Sequence, residues 1–191
     1  MGAEGIFRPN QGKVVSIVPK LFPVFVVAVV VFVWGSGQLL PPRVASHFGV
    51  AGQANRFMSD AGYLWFMSVL VVAIALLVVA LPNRLFAVGG NWINLPHREY
   101  WLGPERRAAT IEYLQVWSVR FGYLLVAFLG YIHWLVVRAN QVQPPTLHSA
   151  WFIGGLAVFV ASTWASAGAL LWRFGRIPPR CSVRLGPGDA W

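Results

Sequence analysis

The sequence has few charged residues and a single cysteine. Of its 191 residues only 11% are charged, whereas 57% are hydrophobic. A soluble domain needs roughly 25–35% charged residues on its surface, so this composition excludes an ordinary water-soluble fold. One cysteine, Cys181, excludes an internal disulfide and any metal site built from several thiolates. We therefore expect a membrane protein, and no cofactor is indicated.

Four apolar segments are long enough to cross a bilayer as helices, since about 20 helical residues span a hydrocarbon core of about 30 Å. They lack the period-2 alternation of a membrane barrel, and backbone in lipid must satisfy its own hydrogen bonds. The sequence predicts an all-α integral membrane protein with four transmembrane helices. The single domain, 1–191, has helices at about 21–40, 61–81, 104–138 (including a cytoplasmic extension) and 149–172, then a basic cytoplasmic tail, 173–191.

Basic residues are distributed unevenly around these segments. Eleven lie in the N-terminal segment, the loop between the second and third helices, and the tail, against three in the other two loops. The positive-inside rule then places both termini in the cytoplasm (N-in/C-in) of a bacterial cytoplasmic (inner) membrane. We expect contact with anionic lipid headgroups and no nucleic acid, because the basic residues are divided among three short juxtamembrane segments. Arg120, near the inner end of the third helix, is expected to snorkel to the headgroups or to pair with Glu112 or Glu99.

The loop between the second and third helices contains a dense polar stretch, 94–107, that we expect to fold at the cytoplasmic interface. Its candidate residues are His97, Arg98, Glu99, Tyr100, Trp101, Pro104, Glu105, Arg106 and Arg107. The favoured interpretation is a structural clamp, in which arginine–glutamate pairs hold the loop to the helix ends. Ligand or partner binding is the second interpretation. The third is a metal-dependent site using His97, Glu99 and Glu105, although no His-Glu-x-x-His pattern is present.

The first outer loop, 41–60, provides a second candidate site at His47, Phe48 and Gly52. Gly49 and Gly52 offer positive-φ positions for tight turns, and Ser59 or Asp60 is expected to cap the second helix. His47, His133 and His148 are all predicted on the outer side, where a three-histidine metal site or a pH sensor is a less favoured alternative to solvated or hydrogen-bonded side chains. In the fourth helix, alanines recur every four residues and predict close helix packing: Ala157, Ala161, Ala165 and Ala169.

Two of these loops carry a family resemblance. The stretch from Leu40 to Asn55 resembles one signature of a bacterial membrane family of unknown function, and Asn94 to Arg107 resembles its second signature, a loop of the form NLP-x-R-x-YWL-x-PERR. The same module is similar to the N-terminal part of SdpI-type bacteriocin immunity proteins. The resemblance implies a multi-helix inner-membrane protein and supplies no catalytic residues. Because only four apolar segments are found, we expect the further helices that follow in SdpI-type proteins to be missing.

We therefore expect a non-enzymatic inner-membrane protein that acts through partners, as an accessory subunit or a sensor or immunity component. The partner is another protein or a second copy of this chain. One alternative is a membrane-embedded metal-dependent hydrolase; another is a small-molecule transporter. No charge lies at the midpoint of a helix, and no internal repeat indicates a transporter.

Overall fold

The computed structural model describes residues 11–88 and 93–177. Its elements in chain order are α1 (Gln11–Gly37), β1 (Arg43–Phe48), β2 (Ala54–Ser59), α2 (Asp60–Ala75), a π-helical segment (Leu76–Ala80), α3 (Leu81–Val88), α4 (Arg98–Trp101), α5 (Arg107–Asn140) and α6 (Ser149–Phe174). Within these residues, four stretches are long and apolar enough to cross a membrane: Pro19–Gly37, Asp60–Phe86, Arg107–Asn140 and Ser149–Phe174. This confirms the four predicted spans and indicates a multi-pass membrane protein.

The all-α prediction is wrong between the first two spans, where β1 and β2 form an antiparallel hairpin. A two-stranded hairpin is marginal alone, and this one is fixed because Val44 and Ala45 are fully buried against the helix ends. Gly52 has φ +84°, as expected, and a side chain there would collide with the backbone of Leu147. Gly49 has no positive φ, so that expectation is wrong. Ser59 caps α2 by accepting a hydrogen bond from the Gly62 N–H at 3.1 Å.

Helix boundaries differ from the predictions in three places. The first helix begins at Gln11 and passes through two prolines. The second continues beyond Pro82 to Val88, because the preceding turn widens into a π-helix in which the Leu81 N–H bonds to the Leu76 carbonyl. The third begins at Arg107 rather than at residue 104, after a turn in which the N–H groups of Arg106 and Arg107 both donate to the Gly103 carbonyl at 3.0 Å. Cys181 and the tail beyond residue 177 lie outside the described residues.

The core of the bundle lies between α1, α2 and α5. Near its middle, one apolar cluster is made by Phe22, Val29, Val71, Ala75, Val79, Val119 and Val126. Gly122 permits close contact here, because a side chain would meet Val79 and Phe22. We call the end that carries β1, β2 and residues 141–148 the hairpin end. The end that carries α4 and Phe174 is the loop end.

The fourth span, α6, packs along α5 but is hardly buried. In the most apolar stretch of α6 none of the residues is buried, whereas 33% of the residues are buried in the corresponding stretches of the second and third spans. The four regularly spaced alanines are exposed, so no described helix of this chain provides the close packing expected of them. The side chains of Phe152 and Phe159 are half-buried on the opposite side, towards α5.

Candidate functional site

The hairpin is held to α5 by the buried side chain of Asn140. Its Oδ1 accepts a hydrogen bond from the Ala45 N–H at 2.7 Å, and its Nδ2 donates to the Ala45 carbonyl at 3.0 Å. Nδ2 also donates to the Val136 carbonyl at 2.9 Å. The amide thus pairs with Ala45 as a neighbouring strand would, and it fixes the position of β1 on the helix.

Below the hairpin, His133 of α5 is fully buried between α1 and α2. Its Nε2 lies 2.8 Å from Ser36 Oγ, and its Nδ1 lies 3.1 Å from the Tyr63 hydroxyl. The Ser36 hydroxyl donates to the Phe32 carbonyl at 2.6 Å. Its proton is therefore committed, so His133 Nε2–H donates to Ser36 and Tyr63 donates to Nδ1. The arrangement, which we call the histidine network, ties three helices together and leaves no ring nitrogen free for a metal.

A second interhelical bond lies one turn deeper. The indole N–H of Trp34 donates to Ser68 Oγ at 3.0 Å, and the Ser68 hydroxyl donates to the Leu64 carbonyl at 2.8 Å. Ser68, His133 and Asn140 thus place three of the five buried polar side chains of the described residues in the hairpin half of the bundle, and Thr110 and Ser118 are the two in the loop half. Sequence reasoning missed Ser36, Tyr63, Ser68 and Asn140; isolated polar residues in apolar spans were the available signal.

His47 lies on β1 between two irregularities in the strand pairing. Ser46 is an extra residue on β1 immediately before His47. On β2 the extra residue is Asn55, immediately before Arg56, the partner of His47. Bulges redirect side chains and increase strand twist, and they are frequent next to functional sites. His47 is exposed, and its Nδ1 lies 3.2 Å from Ser46 Oγ.

The hairpin and the helix ends enclose a recess of about 420 Å³, which we call the hairpin groove. It is lined by Ser46, His47, Phe48, Gly49, Val50, Ile132, Leu135, Val136, Leu147, Ser149, Phe152 and Ile153. Its walls are mainly apolar, with His47, Ser46 and Ser149 as polar members. Val50, at the tip of the hairpin, is fully exposed. Two of the three candidate outer-loop residues, His47 and Phe48, therefore line a concave surface, and Gly52 forms the turn beside it.

The rim of this end is basic. Arg43 lies 5.3 Å from the ring centroid of Phe57, Arg138 lies 5.9 Å from that of Trp134, and Arg56 is exposed beside His47. Asp60 is the acidic residue at the start of α2. The surface of the hairpin end thus combines positive charge with exposed apolar and aromatic side chains.

At the loop end, the aromatic residues of the 94–107 segment make the tertiary contacts. The Trp101 indole N–H donates to the Phe174 carbonyl at 3.0 Å, and the two rings meet edge to face at 5.2 Å. Thr110 Oγ1 donates to the Trp101 carbonyl at 2.8 Å. Buried Ile93, Leu114 and Phe174 form the cluster beneath them. The segment therefore joins α4, α5 and the end of α6.

The charged residues of this segment are mostly peripheral. Arg106 lies 4.2 Å from the Tyr100 ring centroid and 3.8 Å from the Glu105 carboxylate. The Arg106 side chain is 43% exposed and the Glu105 side chain 84%. His97, in the left-handed region at φ 52°, precedes α4, which contains Arg98 and Glu99; all three are exposed. Pro104 is in the turn before Arg107.

Neither proposed histidine cluster forms. Within residues 11–88 and 93–177, no group of three or more His, Cys, Asp or Glu side chains is arranged to hold a metal ion. The structure therefore does not assemble His97, Glu99 and Glu105 into a metal site, nor His47, His133 and His148.

These observations define a multi-pass membrane protein in which a β-hairpin is inserted between the first two spans. Residues 21–72 match the family model of a domain of unknown function (DUF1648). No curated protein and no solved structure matches the chain. The matched segment contains most of α1, the whole hairpin and most of α2. Ser36, Tyr63 and the backbone of Ala45, all within it, find their partners His133 and Asn140 on α5, beyond the match.

Proposed function

We propose that this chain is a non-enzymatic protein of the bacterial cytoplasmic membrane that binds a partner polypeptide at the hairpin groove, as a sensor or immunity-type component. The observation that carries the proposal is the concave, mainly apolar surface formed by a rigidly attached hairpin. A protein-binding surface of this kind combines a desolvated apolar centre with a polar rim. The hairpin groove has both, and the buried Asn140 bonds hold it preformed.

The rim indicates the chemistry of the partner. Arg43 and Arg56 are exposed on the two strands of the hairpin and Arg138 near the end of α5, whereas Asp60 is the acidic group at the start of α2. A segment that inserts apolar side chains and places acidic ones at its edge is therefore complementary, because opposite charges steer association and suppress other partners. The proposed partner is an amphipathic, acidic peptide or protein segment.

We propose the N-in/C-in orientation, which places the hairpin groove outside the cytoplasm. Its support is the excess of basic residues in the loop-end segments. The hairpin end is then exposed to external peptides. Labelling with a membrane-impermeant maleimide tests the orientation in intact cells. In a Cys181→Ser background, the cysteine introduced by Val50→Cys is expected to react before lysis. In the native chain, Cys181 is expected to react only after lysis.

The two alternatives receive less support. A metal-dependent hydrolase requires a ligand cluster, and the described residues form none. A small-molecule transporter requires a polar path through the bundle, whereas the middle of the described α1–α2–α5 core is packed with apolar side chains.

Site-specific photo-crosslinking in native membranes tests partner binding. A photoreactive residue at Val50 is expected to capture a partner, whereas one at Val88, which is 89% exposed at the other end, is not. Arg43→Glu with Arg56→Glu is expected to reduce capture, and the matched charge reversal Arg84→Glu is expected to leave it unchanged. An adduct of twice the chain mass would identify the partner as a second copy. Equal capture from both positions, or none at Val50, would contradict the proposal.

A further inference from the structure

One face of α5 lines two successive recesses next to α6. Near the loop end, a recess of about 280 Å³ is lined by Ala109, Glu112, Tyr113, Val116, Trp117, Arg120 and Arg173. Further along the same face, Leu124, Ala127, Phe128 and Tyr131 line an apolar groove of about 670 Å³. These α5 positions recur every three or four residues, which places them in one row along the helix. We call the two recesses the basic recess and the acyl groove.

The basic recess brings together arginines from two helices. Arg120 comes from α5 and Arg173 from the last turn of α6, where its guanidinium lies 4.1 Å from the Tyr113 ring centroid. Both side chains are exposed, and neither pairs with an acidic residue in the part of the chain that the structure describes. Glu112 is the acidic residue in the wall. Two positive charges and one negative charge leave the recess with a net charge that suits a monoanion.

The recess lies at the depth of lipid headgroups. The stretch of α5 from Arg120 to Asn140 is about 30 Å long at about 1.5 Å per residue, which matches the hydrocarbon core. Trp117 and Tyr113 are amphipathic aromatic residues of the kind that lines membrane interfaces. The Trp117 indole N–H donates to the Ser166 carbonyl at 3.3 Å. Arg120 therefore stands at the boundary between headgroups and hydrocarbon.

The acyl groove begins one helical turn from Arg120, at Leu124. On the α6 side its wall is made by Gly154, Gly155, Val158 and Phe159, and the Tyr131 hydroxyl donates to the Trp151 carbonyl at 2.6 Å near its far end. The groove lies beside direct contacts between the two helices, because the rings of Phe128 and Phe159 stack with centroids 4.1 Å apart and a Cβ added to Gly155 would meet the Tyr131 ring. Its walls are apolar, and it faces the hydrocarbon region.

We propose that an anionic phospholipid binds between α5 and α6. Its phosphodiester contacts Arg120 and Arg173, and one acyl chain lies in the acyl groove. Basic pockets between transmembrane helices recognise anionic headgroups, and arginine binds phosphate oxygens through paired N–H groups. Along this face of α5 the charged recess is followed by the apolar groove, which is the order of the headgroup and the acyl chains in a phospholipid. This site is independent of partner binding at the hairpin groove, which lies at the opposite end.

Native mass spectrometry of the delipidated full chain in detergent tests the proposal. We expect phosphatidylglycerol to bind at least about tenfold more tightly than phosphatidylcholine with the same acyl chains, because only the first has net negative charge. Arg120→Gln with Arg173→Gln is expected to weaken phosphatidylglycerol binding about 20-fold. The matched control Arg138→Gln, at the hairpin end, is expected to change it less than about twofold. Should the double variant fail to fold, the two single variants are each expected to lose about fivefold.

Two further variants separate a lipid from a free phosphate. Gly154→Leu adds an apolar side chain to the wall of the acyl groove, and its Cβ would have no neighbouring atom within 4 Å. It is expected to weaken phosphatidylglycerol binding about fivefold and to leave inorganic phosphate binding unchanged. Glu112→Gln removes the negative charge in the wall and is expected to strengthen phosphatidylglycerol binding about threefold.

Three results would overturn the proposal. The first is equal binding of phosphatidylglycerol and phosphatidylcholine. The second is an equal loss of binding in Arg138→Gln, which would show a general effect of net charge. The third is inorganic phosphate binding with no lipid preference and no response to Gly154→Leu, which would show a phosphate site rather than a lipid site.

Discussion

The two ends of the bundle differ in the balance of the forces that hold them together. At the hairpin end, His133 and Asn140 make buried hydrogen bonds to three other elements. At the loop end, Trp101 and Phe174 pack as rings, and the charged residues around them are exposed. Buried hydrogen bonds demand one geometry, whereas ring packing and surface charge tolerate small shifts. The hairpin end is therefore the rigid end, as a preformed binding surface requires.

The largest expected effect is at Asn140. Asn140→Ala removes three hydrogen bonds and leaves the buried N–H and C=O of Ala45 without partners, which is expected to lower the free energy of unfolding by about 3 kcal/mol. Chemical or thermal unfolding in detergent measures it. Gln141→Ala, the next residue and an exposed one, is the matched control. Equal losses in the two variants would show that the hairpin is not held by this amide.

The histidine network is expected to contribute less. His133→Phe keeps a ring but loses both interhelical bonds, and about 1–2 kcal/mol of unfolding free energy is expected to be lost. Tyr63→Phe removes one of those bonds. In a double-mutant cycle, the two substitutions are expected to be non-additive, because they act on the same bond. Additive effects would contradict the Tyr63–His133 contact.

At the loop end, the expected loss is smaller still. Trp101→Phe retains an aromatic ring and loses the N–H donor to the Phe174 carbonyl, so a loss of about 1 kcal/mol is expected. Trp172→Phe, in the same turn of α6 and 67% exposed, serves as the control and is expected to be nearly neutral. If both variants unfold like the native chain, the Trp101 bond does not hold the segment.

The smallest effect is expected at Glu105. Sequence alone made this residue part of an arginine–glutamate clamp, but its pairing with Arg106 is 3.8 Å long and both side chains are exposed. Glu105→Ala is therefore expected to change the free energy of unfolding by less than about 0.5 kcal/mol. Melting temperatures of Glu105→Ala and Trp101→Phe, compared side by side, rank the two kinds of contact. A larger drop in melting temperature for Glu105→Ala than for Trp101→Phe would support the ionic clamp instead.

Local features were predictable where they depend on neighbouring residues. The Ser59 cap and the positive φ of Gly52 follow from residue chemistry within a few positions. The hairpin was missed because its strands are short and their stability comes from helix ends distant in sequence. The histidine network was missed for the same reason, since Ser36 and Tyr63 lie 97 and 70 residues from His133.

The polar 94–107 segment shows most clearly which contacts could not be predicted from the sequence. Its position between two spans followed from hydropathy, but the choice between ionic and aromatic contacts did not. Trp101 contacts Phe174, which is 73 residues away, whereas Glu105 contacts its neighbour Arg106. Composition made the charges conspicuous, although the apolar rings provide the buried contacts.

The sequence by itself determined four membrane-crossing helices, because the length and hydropathy of a segment decide whether it can reside in lipid. Only the tertiary structure decided that a β-hairpin covers one end, that His133 and Asn140 hold it, and that α6 leaves a groove along α5. Those features depend on which side chains meet across the bundle. Hydrogen bonds and packing between distant residues are set by the mutual fit of helices, which no single segment contains.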